Sequence, residues 1–209
     1  MRTKVPELSR EKETLILNAA QKRFALYGLN KVTMDEIAED VGMGKASLYY
    51  YFPTKEDIFR GVIQREQREF LEQMQNVVHQ QISVSDKLRK YMLQRLKYSS
   101  QLFNLSSLNH QSWMDLKPIF KDLFNNFAGE EQKLLMHIIR EGKQAGEFEV
   151  SSPEKVAHLI LHVLQGLRLR LFRATTTPPI QQPPYDDLEK ETTLFVESLL
   201  YGILKRNSN

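Results

Sequence analysis

Residues 33–52, TMDEIAEDVGMGKASLYYYF, carry the strongest structural signal in the chain. Thr33 followed three residues later by Glu36 is a capping box, the pattern that begins a helix. Gly42 follows the last apolar residue of this helix and can turn the chain sharply by adopting a positive φ. A second short helix is expected to begin near Gly44. The stretch therefore predicts two short helices joined by a tight turn, a helix-turn-helix.

The outer face of the second helix carries a cation, a small side chain, a hydroxyl and two tyrosines, while Leu48 points inward. A short helix with this chemistry suits the major groove of DNA and the phosphates beside it. Helix N-termini also bind phosphate, so the residues that begin the flanking helices are predicted to contact DNA as well. The residues predicted in this way to contact double-stranded DNA are Thr33, Gly44, Lys45, Ala46, Ser47, Tyr49, Tyr50 and Lys55.

The segment from Glu13 to Phe59 resembles the N-terminal domain of the TetR-type transcriptional regulators. The elements that carry the resemblance are Ala19-Ala20, Phe24, Tyr27-Gly28, Thr33, Ile37-Ala38, Val41-Gly42, Leu48-Tyr49-Tyr50-Tyr51-Phe52 and Lys55-Glu56. One departure is Gly44, where the family often has a serine that caps the recognition helix. Glycine is an acceptable N-cap, so the fold is still expected.

This resemblance implies an all-α fold, with an N-terminal three-helix helix-turn-helix domain followed by a larger helical domain for ligand binding and dimerisation. It also implies a function, that of a dimeric repressor released from a palindromic operator by a small-molecule effector. The domains are expected at residues 9–60, with the motif at 33–52, and at residues 61–206. A wholly polar stretch from Gln64 to Glu69 suits a connector between two cores.

Composition narrows the class of protein without proving it. Cysteine is absent, which excludes disulfides, thiolate metal sites and cysteine nucleophiles. The sequence lacks both a run of about 18 apolar residues and an apolar N-terminal segment, so we expect no membrane span and no signal peptide, and a cytoplasmic protein. The net charge of +3 is too small to indicate nucleic-acid binding. The prediction of DNA binding therefore depends on the motif.

The last two predicted helices, at about 153–172 and 186–206, are apolar on more than one face. Such a helix must bury more than one face, so one side can cover the chain's own core and another a second subunit. In TetR-like proteins the two C-terminal helices pair with those of a second copy. The alternative is one thick monomeric core. The residues predicted at a homodimer interface are Leu159, Val163, Gly166, Phe195, Leu199 and Gly202.

The middle of the chain is rich in aromatic and methionine side chains, which either pack as a core or line an adaptable apolar pocket. The resemblance implies that some of them line an effector pocket. Because the sequence shows no obvious buried charge here, with Arg95 and the Glu130-Glu131 pair expected at the surface, a mainly apolar ligand is favoured. The residues predicted to bind it are Tyr91, Tyr98, Phe103, Trp113, Phe120, Phe124 and His137.

His158 and His162 lie four residues apart on a predicted helix, so both imidazoles could meet one metal ion. A zincin-type site would need Glu at position 159, which is Leu159, and the sequence offers no evident third ligand. We therefore predict no metal, no cofactor and no catalytic residue. Two alternatives stay open: a small all-α metal-dependent enzyme that uses these two histidines, and a constitutive DNA-binding protein without an effector.

Overall fold

The computed structural model describes residues 7–101, 121–174 and 185–204, and the side chains of 9–97, 121–167 and 189–204. The described chain forms eight helices: α1 (Glu7–Tyr27), α2 (Met34–Asp40), α3 (Lys45–Tyr51), α4 (Lys55–Val78), α5 (Val84–Gln101), α6 (Lys121–Gln144), α7 (Pro153–Ala174) and α8 (Tyr185–Ile203). This arrangement confirms the predicted all-α class. None of the helices in the described part is long and apolar enough to cross a membrane.

The described residues divide into two compact units between Gln67 and Arg68, inside α4. This division falls within the polar stretch that the sequence suggested as a connector. The predicted domain limit at residue 60 lies inside the first unit. Because α4 is continuous from Lys55 to Val78, the two units share one helix.

The first unit is built on α1, α2, α3 and the start of α4. Phe24 of α1 and Phe59 of α4 are both buried and meet edge to face, with ring centroids 5.2 Å apart. Leu48 of α3 is fully buried and anchors that helix to the unit. Burying such large apolar side chains, each giving about 1.5–3 kcal/mol, is what holds these helices together.

The second unit is a bundle in which α6 packs on α7 and α5 contacts α6, α7 and α8. Its core is mainly apolar and comes from all four helices, with buried residues that include Leu88, Met92, Leu135, Ile138, Ile160, Leu164, Val196 and Leu200. The segment after α6 is hydrogen-bonded to the end of α8: the amide of Glu149 donates to the carbonyl of Ile203 at 2.7 Å.

Buried charge in the second unit corrects the sequence analysis. Arg95 of α5 and Glu131 of α6 form an ion pair whose side chains are 4% and 1% exposed, with Nε 2.5 Å from Oε1. Lys87 is also buried and its Nζ lies 2.8 Å from the Glu141 carboxylate. The expectations that Arg95 and Glu131 lie at the surface, and that this region lacks buried charge, are wrong.

Candidate DNA-contacting surface

The helix α2 begins at the predicted capping box. The amide of Glu36 donates to the Thr33 hydroxyl at 3.3 Å, and the amide of Thr33 donates to the Glu36 carboxylate at 2.7 Å. Hydrogen bonds from the Thr33 backbone and hydroxyl hold the pKa of Glu36 below its usual value. Met34 and Ile37 are buried, so this face of α2 packs on the unit. Local sequence therefore fixes where the motif starts.

The turn between α2 and α3 depends on glycine. Gly42 has a φ of 63°, a left-handed conformation that other residues rarely adopt, and its amide donates to the Glu39 carbonyl at 3.0 Å. Gly44 is the N-cap of α3, and its backbone is extended. Because glycine has no side chain, no capping hydrogen bond comes from this residue's side chain. The first turn of α3 therefore has backbone amides that no capping side chain covers, which suits an approaching phosphate.

The outer face of α3, the recognition helix, is exposed as predicted. Tyr49 and Tyr50 are 41% and 82% exposed, and Lys45 and Ala46 are also exposed. Ser47 is half-buried. The Lys45 Nζ lies 6.0 Å from the centre of the Tyr49 ring, so the cation and the aromatic ring form one patch.

In the protein without DNA, the ammonium group of Lys45 is already paired with a carboxylate. Its Nζ lies 2.8 Å from Oδ1 of Asp35 on α2, and both side chains are more than half exposed. The hydrogen bond from Lys45 to Asp35 and the attraction of that carboxylate raise the pKa of Lys45. An exposed pair contributes little to stability, so a DNA phosphate can replace the carboxylate at small cost.

A second ion pair ties α1 to α2. Arg23 donates to Asp40 through Nε and through Nη2, the latter at 2.8 Å, and its Nη1 lies 3.3 Å from Glu36. The hydrogen bond from Arg23 lowers the pKa of Asp40. Sequence analysis did not identify Arg23, Asp35 or Asp40, because each ion pair joins two different helices and leaves no local pattern.

The helix α4 also begins with a capped turn. The amide of Asp57 donates to the Thr54 hydroxyl at 3.1 Å, and that hydroxyl donates to the Asp57 carboxylate at 2.6 Å. Lys55 is the first residue of α4 and is half-buried. Thr33 and Lys55 thus both lie at helix N-termini, as the sequence predicted.

The residues predicted to bind an effector have different environments. Tyr91 is fully buried and Phe124 is half-buried, whereas His137 is exposed on α6. Phe103, Trp113 and Phe120 lie outside the described residues, and Tyr98 lies outside the described side chains. Phe127, which the prediction did not include, meets Phe70 edge to face with ring centroids 5.3 Å apart.

The residues predicted at a dimer interface lie on two helices and are all at least partly accessible. Leu159 is 58% exposed, and Gly166 and Gly202 are exposed. The others are half-buried: Val163, Phe195 and Leu199. His158 and His162 are exposed on α7, and their ring centroids are 4.1 Å apart. Over the part of the chain with described side chains, no three His, Cys, Asp or Glu residues are grouped to hold a metal ion.

A small helical unit that exposes the second helix of a helix-turn-helix defines a DNA-binding transcriptional regulator. The family model for bacterial regulatory proteins of the tetR family matches residues 16–62, which include the whole motif. The chain belongs to the TetR family.

Known relatives extend this likeness to the whole chain. A transcriptional regulator from Cytophaga hutchinsonii is 37% identical and has a TM-score of 0.79, with 93% of this chain and 99% of that chain covered. The fatty acid metabolism regulator protein of Bacillus subtilis is 22% identical over 156 residues, which are 73% of this chain and 78% of the relative. A regulator from Saccharomonospora viridis, solved in complex with choline, shares the fold at 19% identity, with a TM-score of 0.73 and 94% and 100% of the two chains covered. All three of these proteins are regulators, and the two solved structures are of transcriptional regulators.

Proposed function

We propose that this protein is a dimeric repressor that leaves a palindromic DNA operator when a small effector binds its second unit. The observation that carries the proposal is the exposed recognition helix α3, with Lys45, Tyr49 and Tyr50 on its outer face. One helix of seven residues buries too little DNA surface for tight specific binding. Two copies related by a twofold axis would double that surface.

The contacts with DNA divide into positioning and reading. Thr33 and Lys55 would hold phosphates at the N-termini of α2 and α4, together with the backbone amides that follow Gly44. Tyr49 and Tyr50 would divide between base edges and phosphates. The remaining contacts would come from the first turn of α3, at Lys45, Ala46 and Ser47.

The dimer would form through α7 and α8. Besides Leu159, two further apolar side chains are strongly exposed on α8: Leu194 at 69% and Tyr201 at 72%. Large exposed apolar side chains on two helices that contact each other are typical of an interaction surface rather than of a solvated one. Gly166 and Gly202 would let the helices of a second copy approach closely.

The effector would need a hydrogen-bonding group as well as an apolar body. Tyr91 is buried, yet its hydroxyl has no hydrogen-bond partner among the described residues. Such an unpaired buried group costs about 1–3 kcal/mol, which a ligand that accepts or donates a hydrogen bond would recover. The adjacent Arg95–Glu131 pair makes this part of the core polar. The choline complex of a protein with the same fold is consistent with a small effector.

DNA binding is tested by footprinting the full-length protein on the DNA upstream of its own gene. We expect protection of a pseudo-palindrome whose half-sites are about one helical turn apart or a little more. Tyr49→Ala should abolish specific binding without loss of helix content, because the side chain is exposed. Tyr27→Ala, which removes an exposed tyrosine from the end of α1, is the matched control. Equal binding by Tyr49→Ala and the parent protein would contradict the assignment of α3.

The dimer is tested by sedimentation of Leu159→Glu and Leu15→Glu. Both leucines are similarly exposed, at 58% and 56%, so neither substitution opens a cavity in the single chain. Leu159→Glu should give a monomer with weakened operator binding, because the dimer would bury an unpaired charge. Leu15→Glu, on α1, should remain a dimer. If both variants remain dimeric, α7 is not at the interface.

The effector is sought by thermal-shift screening of metabolites, and positive compounds are then added to the operator complex. Differential binding to two states should weaken operator affinity by about 5–150-fold. Tyr91→Phe should bind the operator normally but lose at least part of this response. If no compound releases the protein, and a structure of residues 102–120 shows the core solidly packed, the regulator is constitutive.

A further inference from the structure

We infer that His158 and His162, together with the same pair of a second copy, form a binding site for a divalent transition metal, with Zn²⁺ as the ion that fits it best. This inference depends on the dimer proposed above. The two side chains lie one turn apart on α7 and both are exposed. Their ring centroids are 4.1 Å apart, and their ring planes are inclined at 48°.

This spacing fits two ligands of one metal ion. Zn²⁺ binds imidazole nitrogen at about 2.0–2.1 Å in a tetrahedral arrangement, so two ligand nitrogens are about 3.3 Å apart. Two histidines four residues apart on one face of a helix can bind one Zn²⁺, and the ring centroids of His158 and His162 already lie 4.1 Å apart. The backbone of α7 does not have to move.

One chain supplies only half of a tetrahedral site. Throughout the described side chains, no third His, Cys, Asp or Glu completes a group around this pair. The pair shares its face of α7 with Leu159 and Gly166, both exposed and both predicted at the dimer interface. In a contact between two identical surfaces, a residue near the twofold axis meets its own counterpart. Two histidines from each copy would then give four imidazole ligands.

Four imidazoles would leave no open coordination position, so the ion would be structural and not catalytic. The bound metal would stabilise the dimer by mass action, because the complete site exists only when two copies associate. The histidines therefore fit the regulator better than they fit the enzyme that the sequence left open.

The test uses the untagged full-length protein, freed of metal with a chelator and titrated with ZnCl₂ in a calorimeter. We expect one Zn²⁺ per two chains, and His158→Gln or His162→Gln should each weaken binding at least about tenfold, because each substitution removes two of the four ligands. His79→Gln, which changes another exposed histidine, is the matched control and should bind like the parent protein. Sedimentation should show that Zn²⁺ tightens the parent dimer but not that of His162→Gln.

Two results would overturn the inference. The first is Zn²⁺ affinity that is no weaker in His158→Gln and His162→Gln than in His79→Gln. The second is one Zn²⁺ per chain with no effect on dimer dissociation, which would place the ion within a single copy. The metal-free protein is examined in the same experiment for dimerisation and operator binding. If the metal-free protein is a dimer that binds its operator but not Zn²⁺, only the proposed metal site is contradicted. If it is a monomer at all concentrations, the proposed function is contradicted.

Discussion

Arg95 and Glu131 form an ion pair in the core of the second unit, where Nη2 of the arginine lies 3.0 Å from Oε2 of the glutamate. The pair joins α5 to α6, and both side chains are almost completely buried. Removing two charges from water costs several kcal/mol for each, and their mutual attraction must offset this cost. The pair therefore fixes how α5 and α6 pack more than it adds to stability.

Glu131→Gln should lower the free energy of unfolding by about 3–5 kcal/mol, because the guanidinium of Arg95 stays buried without that carboxylate. Glu130→Gln is the matched control: its exposed carboxylate pairs with Lys133 on the same helix, and the substitution should change stability by less than about 1 kcal/mol. Urea denaturation followed by circular dichroism measures both variants. Similar losses of unfolding free energy in the two variants would show that the buried Arg95 side chain does not need the Glu131 carboxylate.

Two glycines of α6 should respond to alanine with opposite signs. A Cβ on Gly142 would lie 2.2 Å from Cδ2 of the buried Phe148 ring, so Gly142→Ala should destabilise the protein by about 1–3 kcal/mol. A Cβ on Gly129 would meet none of the described residues within 4 Å, and Gly129→Ala should stabilise the helix by about 0.5–1 kcal/mol. Thermal unfolding of both variants measures these two changes in stability. A stabilising Gly142→Ala would mean that Phe148 is not held against α6.

The contribution of the Arg23–Asp40 pair should depend on pH. Since the hydrogen bond from Arg23 lowers the pKa of Asp40 in the folded state, the unfolded chain takes up a proton more readily as the pH falls. The pair should stabilise the protein above about pH 4 and lose its effect as the pH falls through the folded-state pKa. Asp40→Asn should thus unfold at a lower temperature than the parent protein at pH 7, and this difference should shrink as the pH falls below about 4. Glu39→Gln, one residue away, is the control, and a difference that persists unchanged at low pH would contradict the assignment.

Asp35 should restrain the affinity of the protein for DNA. Asp35→Asn removes the carboxylate that holds Lys45 and leaves this cation available to a phosphate. Affinity for any duplex should rise a few-fold at low salt, and the salt slope should steepen by up to about one unit. In the Lys45→Ala background the same substitution should give no gain, which a double-mutant cycle measures. An equal gain in both backgrounds would indicate a general charge effect rather than this pair.

The helix-turn-helix was predictable because its signals are local. Thr33, Glu36 and Gly42 act within a few residues of the chain, and the structure shows the cap and the positive φ that they imply. The Lys45–Asp35 pair was not predictable, because it forms only once α2 and α3 have packed at an angle that the sequence does not state.

The buried ion pair was missed for a different reason. A charged residue is almost always exposed, so Arg95 and Glu131 were assigned to the surface. A signal was present, however, since Arg95 continues the helical spacing of the buried Leu88, Tyr91 and Met92 along α5. A charge on the apolar face of a predicted helix therefore indicates a buried partner on another helix.

Because α8 supplies Val196, Leu200 and Ile203 to the core, the second unit acquires its full interior only when the last described helix has been synthesised. At the usual rate of translation, on the order of ten seconds separate the end of α5 from the end of α8. During that time the apolar side of α5 is not yet covered by α8, whereas residues 7–67 have already left the ribosome. The nascent second unit consequently exposes its apolar surface for longer than residues 7–67 do, which makes it the part of the chain most prone to aggregate during synthesis.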